Sequence, residues 1–518
     1  MENRNILKRN IWIRVFLNLI LAAAAGLLIE NSFVPRKIFF LIFFAFVPFF
    51  IAIENAKPIP AFLYGLITGF VLYSFHFHWL TIIWGFKFVI ILILYISLYY
   101  GVFGYLISVL KLNKNLNIRK IFIISTLWII GEFIRARFLG GYPTASIAHA
   151  LFEKPFLIQV ADLGGFYLIS FFIIWINLFV YAIISKKVEI SNKKVIVIHT
   201  LILFLLILSY SSIKYFKWKN YEKGRAFKLL LIQPAIDQHK KWDPVYRAEV
   251  FKLIESTFPN KKSGYDLVIF PETVCPTEFR YERKSNFKMK EYSKLFKDSF
   301  ILFGSVDYSP DPFILKEYRL KFNSGFLMKD GELLDKYDKV LPVVFAEHNP
   351  FKRALPYFNK FVLGESIEPG FETNVLEADD LKIGTLICYE SIFPRLSRGF
   401  IRNGANILIN ISNEAWFNYL PTSEELLAAS VFRSVEFRRY FVKVSNTGIS
   451  AVVTPSGKIL FKIPLFVRAN QEIEVRAINV RTPYSVFGDW YILVFLIISI
   501  FVIVPTRRDD FRYTPATR

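Results

Sequence analysis

Three polar side chains in the sequence each follow a short strand-like run, where an α/β scaffold commonly displays reactive groups: Glu272, Lys339 and Cys388. A thiol with an ordinary pKa of about 8.5 needs a base to remove its proton. It also needs a cation to stabilise the negative charge that develops on an attacked carbonyl. Glutamate, lysine and cysteine can supply the base, the cation and the nucleophile. Together they predict nucleophilic catalysis on a carbonyl carbon.

Each of these residues alone has an ordinary structural explanation. A glutamate after a strand often caps a turn, a lysine is often solvated, and a free cysteine often behaves as a small buried hydrophobic residue. A glutamate that acts as base near neutral pH must have its pKa raised by burial, and the apolar flanks Phe270, Pro271 and Val274 are compatible with that. The six histidines are not spaced as metal ligands, and no nucleotide-binding glycine loop or haem motif is visible. We therefore expect no metal and no cofactor.

Composition indicates a membrane protein. The chain has 518 residues, of which 54% are hydrophobic and 18% aromatic. The net charge is +22, but only 20% of the residues are charged, and we find no zinc spacing, RNA-binding signature or continuous basic stripe. The positive excess therefore favours membrane topology and anionic lipid over nucleic acid. Two cysteines, Cys275 and Cys388, cannot form a disulfide scaffold.

Eight apolar runs approach the length of about 20 residues that crosses a bilayer. They lie at about 11–29, 37–54, 60–80, 87–110, 120–137, 156–184, 195–215 and 488–505. The interval between the seventh and eighth runs has the composition of a soluble domain. We predict a membrane domain of about seven helices over 1–218, an inserted domain over 222–487, a last membrane helix over 488–506 and a tail over 507–518.

Lysine and arginine near the span ends predict the orientation, because positively charged loops stay in the cytoplasm. If both termini are cytoplasmic, the cytoplasmic segments hold sixteen of these residues and the opposite short loops hold six. The inserted domain and its chemistry are then outside, and the tail over 507–518 is cytoplasmic. The N-terminus also resembles a signal peptide, but no small-residue cleavage site follows it, so we expect a retained first span.

The interval 222–487 alternates strand-length apolar runs with helical patterns, which predicts an α/β sandwich. Asp330-Gly331 and Pro455-Ser-Gly457 mark two hairpin turns. Helices are predicted over 243–258 and 421–440. The second is expected to begin with a Thr422-x-x-Glu425 capping box.

The order Pro271-Glu272, Lys339 and Cys388-Tyr389-Glu390 resembles the Glu-Lys-Cys triad of the nitrilase or carbon-nitrogen hydrolase superfamily, over about 225–482. Further segments, in order, are similar to those of apolipoprotein N-acyltransferases: Gly140-Gly-Tyr-Pro143, Gln159-x-Ala-Asp-Leu-Gly-Gly165, Lys240-Lys-Trp242-Asp, Phe322-Asn323-Ser, Tyr337-x-Lys339 with Glu347, Ser412-Asn413-Glu-Ala-Trp416-Phe417, Arg433-x-x-Glu436-x-Arg438 and Asn446-Thr-Gly-Ile-Ser450. The resemblance implies a membrane α-helical bundle of about eight spans that carries an αββα nitrilase-like sandwich.

The resemblance also implies a ping-pong reaction. Cys388, activated by Glu272, would take an acyl chain from a membrane phospholipid as a thioester. The α-amine of the diacylglyceryl-cysteine of an apolipoprotein would then attack the thioester. Lys339 and a backbone N–H beside Cys388 would stabilise both oxyanions. No cofactor takes part.

Supporting roles follow from the same resemblance. Glu347 would orient the Glu-Lys pair, Asn323 would support the site, and Trp242, Tyr389 and Glu390 would shape substrate access and a lid. The implied location is the bacterial inner membrane, with the catalytic domain on the periplasmic face, and we expect a monomer.

Some residues depart from the family pattern. These are Val344 and Ala346 before Glu347, Thr144 after the Gly-Tyr-Pro loop, and Glu414 and Asn418, which replace a frequent aspartate and glycine. Cys275, three residues after Glu272, is placed to approach the site; a disulfide between it and Cys388 in an oxidising envelope would silence the nucleophile and is the less favoured outcome.

Two alternatives stay open at this stage. One is a membrane-tethered amidase, in which water resolves the thioester, although seven spans before the domain exceed what a tether requires. The other is a lipid-binding or transport protein with an inactive nitrilase-like domain. The few ionisable groups in the first seven predicted spans give little support to a transport path.

Overall fold

The computed structural model describes residues 2–309, 319–344, 346–349, 366–416 and 420–509. Phe345, between Val344 and Ala346, Phe417 and Asn418 of the motifs above, and 510–518 of the predicted tail lie outside these residues. The helices are α1 (Glu2–Ser32), α2 (Val47–Ala52), α3 (Pro58–His76), α4 (Thr81–Trp84), α5 (Phe86–Val109), α6 (Ile118–Arg135), α7 (Ala161–Ile184), α8 (Ile190–Lys219), α9 (Gln238–Trp242), α10 (Arg247–Glu255), α11 (Arg283–Leu295), α12 (Pro394–Arg402), α13 (Leu420–Phe437), α14 (Pro483–Phe487) and α15 (Trp490–Asp509). The strands are β1 (Ala226–Gln233), β2 (Leu267–Ile269), β3 (Phe300–Tyr308), β4 (Lys321–Lys329), β5 (Glu332–Asp338), β6 (Leu376–Ala378), β7 (Leu381–Ile387), β8 (Ile407–Ser412), β9 (Phe441–Ser445), β10 (Ser450–Val453), β11 (Ile459–Ile463) and β12 (Ala469–Arg476).

The chain forms two compact units. The helical unit comprises Met1–Leu151, Gly164–Ser211 and Phe487–Arg518, and the α/β unit comprises Phe152–Leu163 and Ser212–Val486. The sequence did not anticipate that 152–163 belongs to the α/β unit, because its apolar residues extend the sixth predicted span. In the structure α7 begins only at Ala161, and Gly164 and Gly165 interrupt its helical backbone.

Five helices of the described residues are long and apolar enough to cross a membrane: Trp12–Ser32, Pro58–His76, Phe86–Val109, Ala161–Ile184 and Ile190–Lys219. They make this chain a membrane protein.

The predicted count of eight spans is not confirmed and stays a prediction. The second predicted span divides into a 3-10 turn and the six-residue α2. The fifth, α6, carries Arg119, Lys120, Glu132 and Arg135 within 18 residues. The apolar part of α15, Trp490–Ile503, is shorter than the five long helices.

Glycines allow α3 and α5 to approach each other closely. A Cβ on Gly65 would lie 2.2 Å from the Tyr100 carbonyl oxygen, and a Cβ on Gly104 would lie 2.4 Å from that of Ala61. Lipid gives little hydrophobic drive for helix association, so close packing at small residues contributes much of the stabilisation.

The α/β unit contains two six-stranded sheets, with strand orders β12-β1-β2-β3-β4-β5 and β11-β10-β9-β8-β7-β6. Strands β1, β2 and β3 are parallel in the first sheet, and β7, β8 and β9 are parallel in the second. The sheets face each other, because an ideal Cβ on Gly325 of β4 would lie 3.2 Å from Thr385 of β7 and 3.4 Å from Ile411 of β8. The predicted hairpins at Asp330-Gly331 and Pro455-Ser-Gly457 are confirmed as the β4–β5 and β10–β11 connections.

Helices cover the outer faces of both sheets, which gives the αββα nitrilase-like sandwich. Apolar residues of α10 and α11 pack with β1, β2, β3 and β4 in one core, and α12 and α13 pack on β7, β9 and β10. The prediction of a Thr422-x-x-Glu425 capping box was wrong. The helix already begins at Leu420, and the Thr422 hydroxyl has no hydrogen-bond partner among the described residues.

The segment 152–163 is anchored in the α/β unit by Arg438, whose side chain is 1% exposed. Its Nη2 donates to Asp162 Oδ2 at 2.7 Å, and its Nη1 donates to Gln159 Oε1 at 2.8 Å. Lys214 Nζ lies 3.6 Å from the same Asp162 oxygen. A buried charge pair of this kind is costly to break, because removal of one partner leaves the other unpaired.

Arg438→Leu should therefore lower the free energy of unfolding by about 3 to 5 kcal/mol, since the buried Asp162 would lose the guanidinium that lies 2.7 Å from its carboxylate. Thermal unfolding in detergent checks this result. Arg225→Leu is the matched control, because Arg225 pairs with Asp380 at an exposed site and should cost about 1 kcal/mol or less. Equal losses for the two variants would contradict the anchoring role.

Candidate active site

The structure brings the three predicted catalytic side chains together at strand ends. Glu272 follows β2, Lys339 follows β5 and Cys388 follows β7. Lys339 Nζ lies 3.7 Å from Glu272 Oε1, and the Cys388 sulfur interacts electrostatically with both side chains. Two strands come from the first sheet and one from the second, so the site requires the two sheets to face each other.

Cys388 occupies a strained turn. Its φ is +54°, a left-handed conformation that is uncommon for residues other than glycine, and a 3-10 helix begins at the same residue. The side chain is 8% exposed. Such strain persists only where the surrounding structure holds it in place.

Glu390 holds this turn. Its carboxylate accepts hydrogen bonds from the backbone N–H of Ile387 at 2.8 Å, Val340 at 2.7 Å and Leu341 at 2.9 Å, and from the Tyr337 hydroxyl at 2.9 Å. It therefore ties the end of β7, which carries the cysteine, to the residues that follow Lys339. The side chain is fully buried. These contacts connect Glu390 with both segments, and the expectation that it shapes substrate access stays a prediction.

Glu272 is 4% exposed and receives hydrogen bonds on both oxygens. Asn323 Nδ2 donates to Oε1 at 2.6 Å, and the Asn413 backbone N–H donates to Oε2 at 2.7 Å. Burial raises the pKa of Glu272, and the positive charge of Lys339 opposes this without cancelling it. A carboxyl group with a raised pKa is a stronger base than an ordinary glutamate, which suits it to proton transfer.

Lys339 is fully buried and is held by Glu347. Its Nζ lies 2.8 Å from each carboxylate oxygen of Glu347, and Glu347 also accepts the backbone N–H of Val343 at 2.8 Å. Burial alone would lower the pKa of Lys339, but the carboxylates of Glu347 and Glu272 outweigh it and raise the pKa. The lysine therefore remains a cation close to the thiol.

The Cys388 thiol is protonated at neutral pH. Burial raises its pKa, the Glu272 carboxylate raises it further, and the opposing effects of Lys339 and the Ser412 hydroxyl are smaller. The cysteine is therefore not a standing thiolate. Attack by this thiol on a carbonyl would therefore require a base to take the proton and a cation for the developing oxyanion, and Glu272 and Lys339 are the charged groups beside it.

Sequence reasoning missed Lys241, which braces the turn after Glu272. Its side chain is 1% exposed, and its Nζ donates to the Thr273 hydroxyl at 2.8 Å and to the Glu272 carbonyl at 3.4 Å. Burial lowers the pKa of Lys241 to about 7. The Lys240-Lys-Trp242-Asp segment contains this lysine, but its resemblance to the family pointed to Trp242 as the functional residue.

A second group was also missed, at the end of β8. Lys443 donates to Glu414, which also accepts the hydroxyl of Ser412 at 3.0 Å and that of Ser423. All four side chains are buried. This ion pair fixes the segment whose neighbouring Asn413 N–H reaches Glu272. The departure of Glu414 from a frequent aspartate was the available signal.

The remaining predicted residues lie nearer to solvent, with one exception. Tyr389 is partly buried and packs edge-on against Phe393 at 5.4 Å. Trp242 is 39% exposed, and its ring centroid lies 5.5 Å from Lys241 Nζ. Cys275 is fully buried, and it and Cys388 are free thiols in this structure. Within the described ranges, no three His, Cys, Asp or Glu side chains are grouped as metal ligands.

Comparisons with known proteins identify similar chains. The family model of the apolipoprotein N-acyltransferase N-terminal domain matches residues 25–179, and that of carbon-nitrogen hydrolase matches residues 231–474. An apolipoprotein N-acyltransferase of Geobacter metallireducens is 32% identical over 491 residues, which cover 91% of this chain and 91% of the relative. One from Thermotoga maritima is 29% identical over 384 residues, which cover 73% of this chain and 70% of the relative. The solved nitrilase-superfamily protein Nit3 of Saccharomyces cerevisiae matches 57% of this chain and 97% of its own, at 20% identity and a TM-score of 0.37.

Gly304 of β3 makes room for Glu272. An ideal Cβ there would lie 2.5 Å from the Thr273 backbone nitrogen and 2.6 Å from the Glu272 Cα. Gly304→Ala should therefore displace the base and slow the reaction of Cys388 with iodoacetamide by about 10- to 100-fold, since small misplacements of catalytic groups are costly. The control is Gly325→Ala, at the position paired with Gly304 in β4, where the Cβ would meet only side-chain atoms. Equal slowing in both variants would contradict this role.

Asn323 stabilises the charged form of Glu272. Loss of this hydrogen bond in Asn323→Leu should raise the pKa of Glu272 further, because the anion loses a donor while the neutral acid does not. In a plot of the rate of Cys388 alkylation against pH, the rise on the acidic side (the acid limb) should then move to higher pH. Asn374→Leu, which removes a hydrogen bond to the Lys336 carbonyl, should leave the limb in place. An unshifted limb in Asn323→Leu would mean that another group controls it.

Proposed function

The chain belongs to the apolipoprotein N-acyltransferase family, and we propose that it transfers the acyl chain through a thioester on Cys388. The protein is an acyltransferase with a nitrilase-like catalytic domain. The observation that supports the thioester is the buried thiol beside a basic glutamate and a lysine cation. A protonated thiol in that setting is prepared for general-base attack on a carbonyl.

In the first step the Cys388 thiol gives its proton to Glu272, and the sulfur attacks the ester carbonyl of a membrane phospholipid. The tetrahedral oxyanion is stabilised by Lys339, which is already charged and buried. The carbon–oxygen ester bond then breaks, and Glu272 returns the proton to the leaving oxygen. The products are a thioester on Cys388 and a lysophospholipid.

In the second step the α-amine of an apolipoprotein's diacylglyceryl-cysteine attacks the thioester carbonyl. The amine gives a proton to Glu272, the carbon–sulfur bond breaks, and the proton passes to the departing sulfur. Lys339 again stabilises the oxyanion. The products are an amide and the free Cys388 thiol, so the reaction returns the enzyme to its starting state without a cofactor.

Supporting residues take three functions in this proposal. Glu347 and Asn323 hold Lys339 and Glu272 by the hydrogen bonds given above. Glu390 positions the Cys388 turn. Trp242 and Tyr389 are partly exposed aromatic residues, and we assign them to substrate access.

We propose that the protein lies in the bacterial inner membrane as a monomer, with catalysis on the periplasmic face. The distribution of lysine and arginine supports this orientation. In this proposal the chain is divided into a membrane domain over 1–218, a catalytic domain over 222–487, a last span over 488–506 and a cytoplasmic tail over 507–518. Bilayer location also suits the substrates, because extraction of an acyl chain into water costs about 0.8 kcal/mol per methylene.

The covalent step gives the central prediction. Exposure of the purified protein to phospholipid should add the mass of one acyl chain to Cys388, and hydroxylamine should remove it, as measured by intact-protein mass spectrometry. Cys388→Ala should show no added mass. Cys275→Ala is the matched control and should be acylated as the wild type is, because Cys275 is buried away from the Glu272 carboxylate's two hydrogen-bond donors and is not required for the step.

Addition of a diacylated lipopeptide to the acylated protein should transfer the chain to the peptide amine. Release of free fatty acid with an unmodified amine would instead indicate the amidase alternative. Full activity of Cys388→Ser, in cells without another copy, would indicate the lipid-binding alternative. No added mass on the wild type would refute the thioester.

A further inference from the structure

A buried lysine beside Glu272 forms no salt bridge in the described part of the chain. This residue, Lys241, belongs to α9 and is 1% exposed. Its Nζ donates to the Thr273 hydroxyl at 2.8 Å and to the Glu272 carbonyl at 3.4 Å, and both acceptors are uncharged. Lysines are almost never fully buried unless they are paired with an opposite charge.

The other two buried lysines of the described residues show what is unusual here. Lys339 contacts Glu347 at 2.8 Å, and Lys443 donates to Glu414. Lys241 contacts a hydroxyl and a carbonyl in place of a carboxylate. An apolar side chain of similar length would avoid the cost of burying the amine, so its presence in this position points to a function.

The turn that Lys241 contacts is strained. Thr273 has a φ of +46°, which a β-branched residue rarely adopts. Such a conformation persists only where surrounding contacts hold it. The Thr273 hydroxyl accepts from Lys241 Nζ and, at the longer distance of 3.5 Å, from Asn413 Nδ2. The residue directly after Glu272 is therefore held from α9 on one side and from the end of β8 on the other.

Helix α9 also reaches the Glu272 carboxylate. The Asn413 backbone N–H donates to Glu272 Oε2 at 2.7 Å, and its side-chain Nδ2 donates to Gln238 Oε1 at 3.0 Å. Gln238 is the first residue of α9, and the Asp237 side chain caps that helix. The short helix thus contacts the segment of the base twice, through Lys241 to its backbone and through Gln238 and Asn413 to its carboxylate.

The charge of Lys241 acts on Glu272 as well. Burial lowers the pKa of Lys241 to about 7, and the negative charge of Glu272 opposes this fall. Such an interaction is reciprocal, so the ammonium favours the ionised form of the carboxyl group in turn. The amine is charged below its pKa, and its charge is therefore present on the acidic side of a pH profile.

Other titratable groups act on this pair: Cys275, Lys339, Glu347 and Cys388. Burial raises the pKa of both thiols, so they are neutral near pH 7. Glu347 opposes ionisation of Glu272, and Lys339 favours it. Lys241 therefore adds to the effect of Lys339 on the base, from the backbone side of the Glu272 segment.

We propose that Lys241 is a positioning residue of the active site, which holds the Thr273 turn and favours the anionic form of Glu272 by its positive charge. The function of Glu272 as base rests on the proposed function. A base must be anionic to accept the Cys388 proton. The two lysines then have different tasks, because Lys339 acts on both Glu272 and Cys388, whereas Lys241 contacts the backbone that carries the base.

The test is the rate of Cys388 alkylation by iodoacetamide against pH, in the full-length protein in detergent and without phospholipid. Peptide mass spectrometry gives the alkylated fraction. Lys241→Met keeps the length of the side chain and removes the charge, so the acid limb should move to higher pH by about one unit. Lys240→Met is the matched control, because Lys240 is exposed and pairs with Glu249. It should leave the limb in place.

Two further variants separate charge from shape. Lys241→Gln can still donate to the Thr273 hydroxyl but has no charge, and its limb should move as in Lys241→Met. It also serves where Lys241→Met does not fold. Lys241→Arg keeps the positive charge, and its limb should stay close to that of the wild type even where the larger side chain lowers the rate.

An unmoved limb in Lys241→Met and Lys241→Gln would overturn the proposal, as would an equal movement in Lys240→Met or Lys241→Arg. A lower rate at every pH with an unmoved limb would indicate a structural role alone and would also overturn it. Alkylation needs no acyl donor, so this result is independent of the thioester test. If Asn323→Leu moves the limb and Lys241→Met does not, Glu272 remains the base and only the proposal for Lys241 fails.

Discussion

The site depends on one electrostatic arrangement, a buried cation between two carboxylates. Lys339 is fully buried and contacts Glu347 at 2.8 Å and Glu272 at 3.7 Å. Burial alone would lower the pKa of Lys339, and the charges of Glu347 and Glu272 raise it instead. The base needs the cation in turn, since burial alone would favour its neutral form. Removal of either Lys339 or Glu272 would therefore shift the pKa of the other.

The fold maintains that arrangement by joining groups that are distant in sequence. Glu390 accepts backbone donors from both Ile387 and Val340, so it connects the cysteine turn with the segment after the lysine. The Asn413 N–H reaches Glu272 from the second sheet. A strained left-handed Cys388 is stable in this setting because hydrogen bonds on both sides fix the turn. Strain and buried charge are thus supported by the same contacts.

Acyl transfer between lipids also explains why the nitrilase-like domain occurs in a chain with several long apolar helices. Chains of both substrates are costly to expose to water, so the reaction is favoured where they can stay in the bilayer. The five long apolar helices meet that requirement.

The sequence alone predicted that Glu272, Lys339 and Cys388 belong to one site, and it determined the αββα class and the membrane character. These depend on local patterns: apolar runs of strand or span length, and motifs in a recognisable order. It did not reveal that Lys241, Asn413 and the Glu414–Lys443 pair contact or support the segments around Glu272, nor that Glu390 bonds the backbone on both sides of the site. Only the tertiary structure decided these, because burial and hydrogen bonding depend on which strand ends meet. The sequence does not show which of its 64 lysines and arginines are buried, because burial is set only when the chain folds.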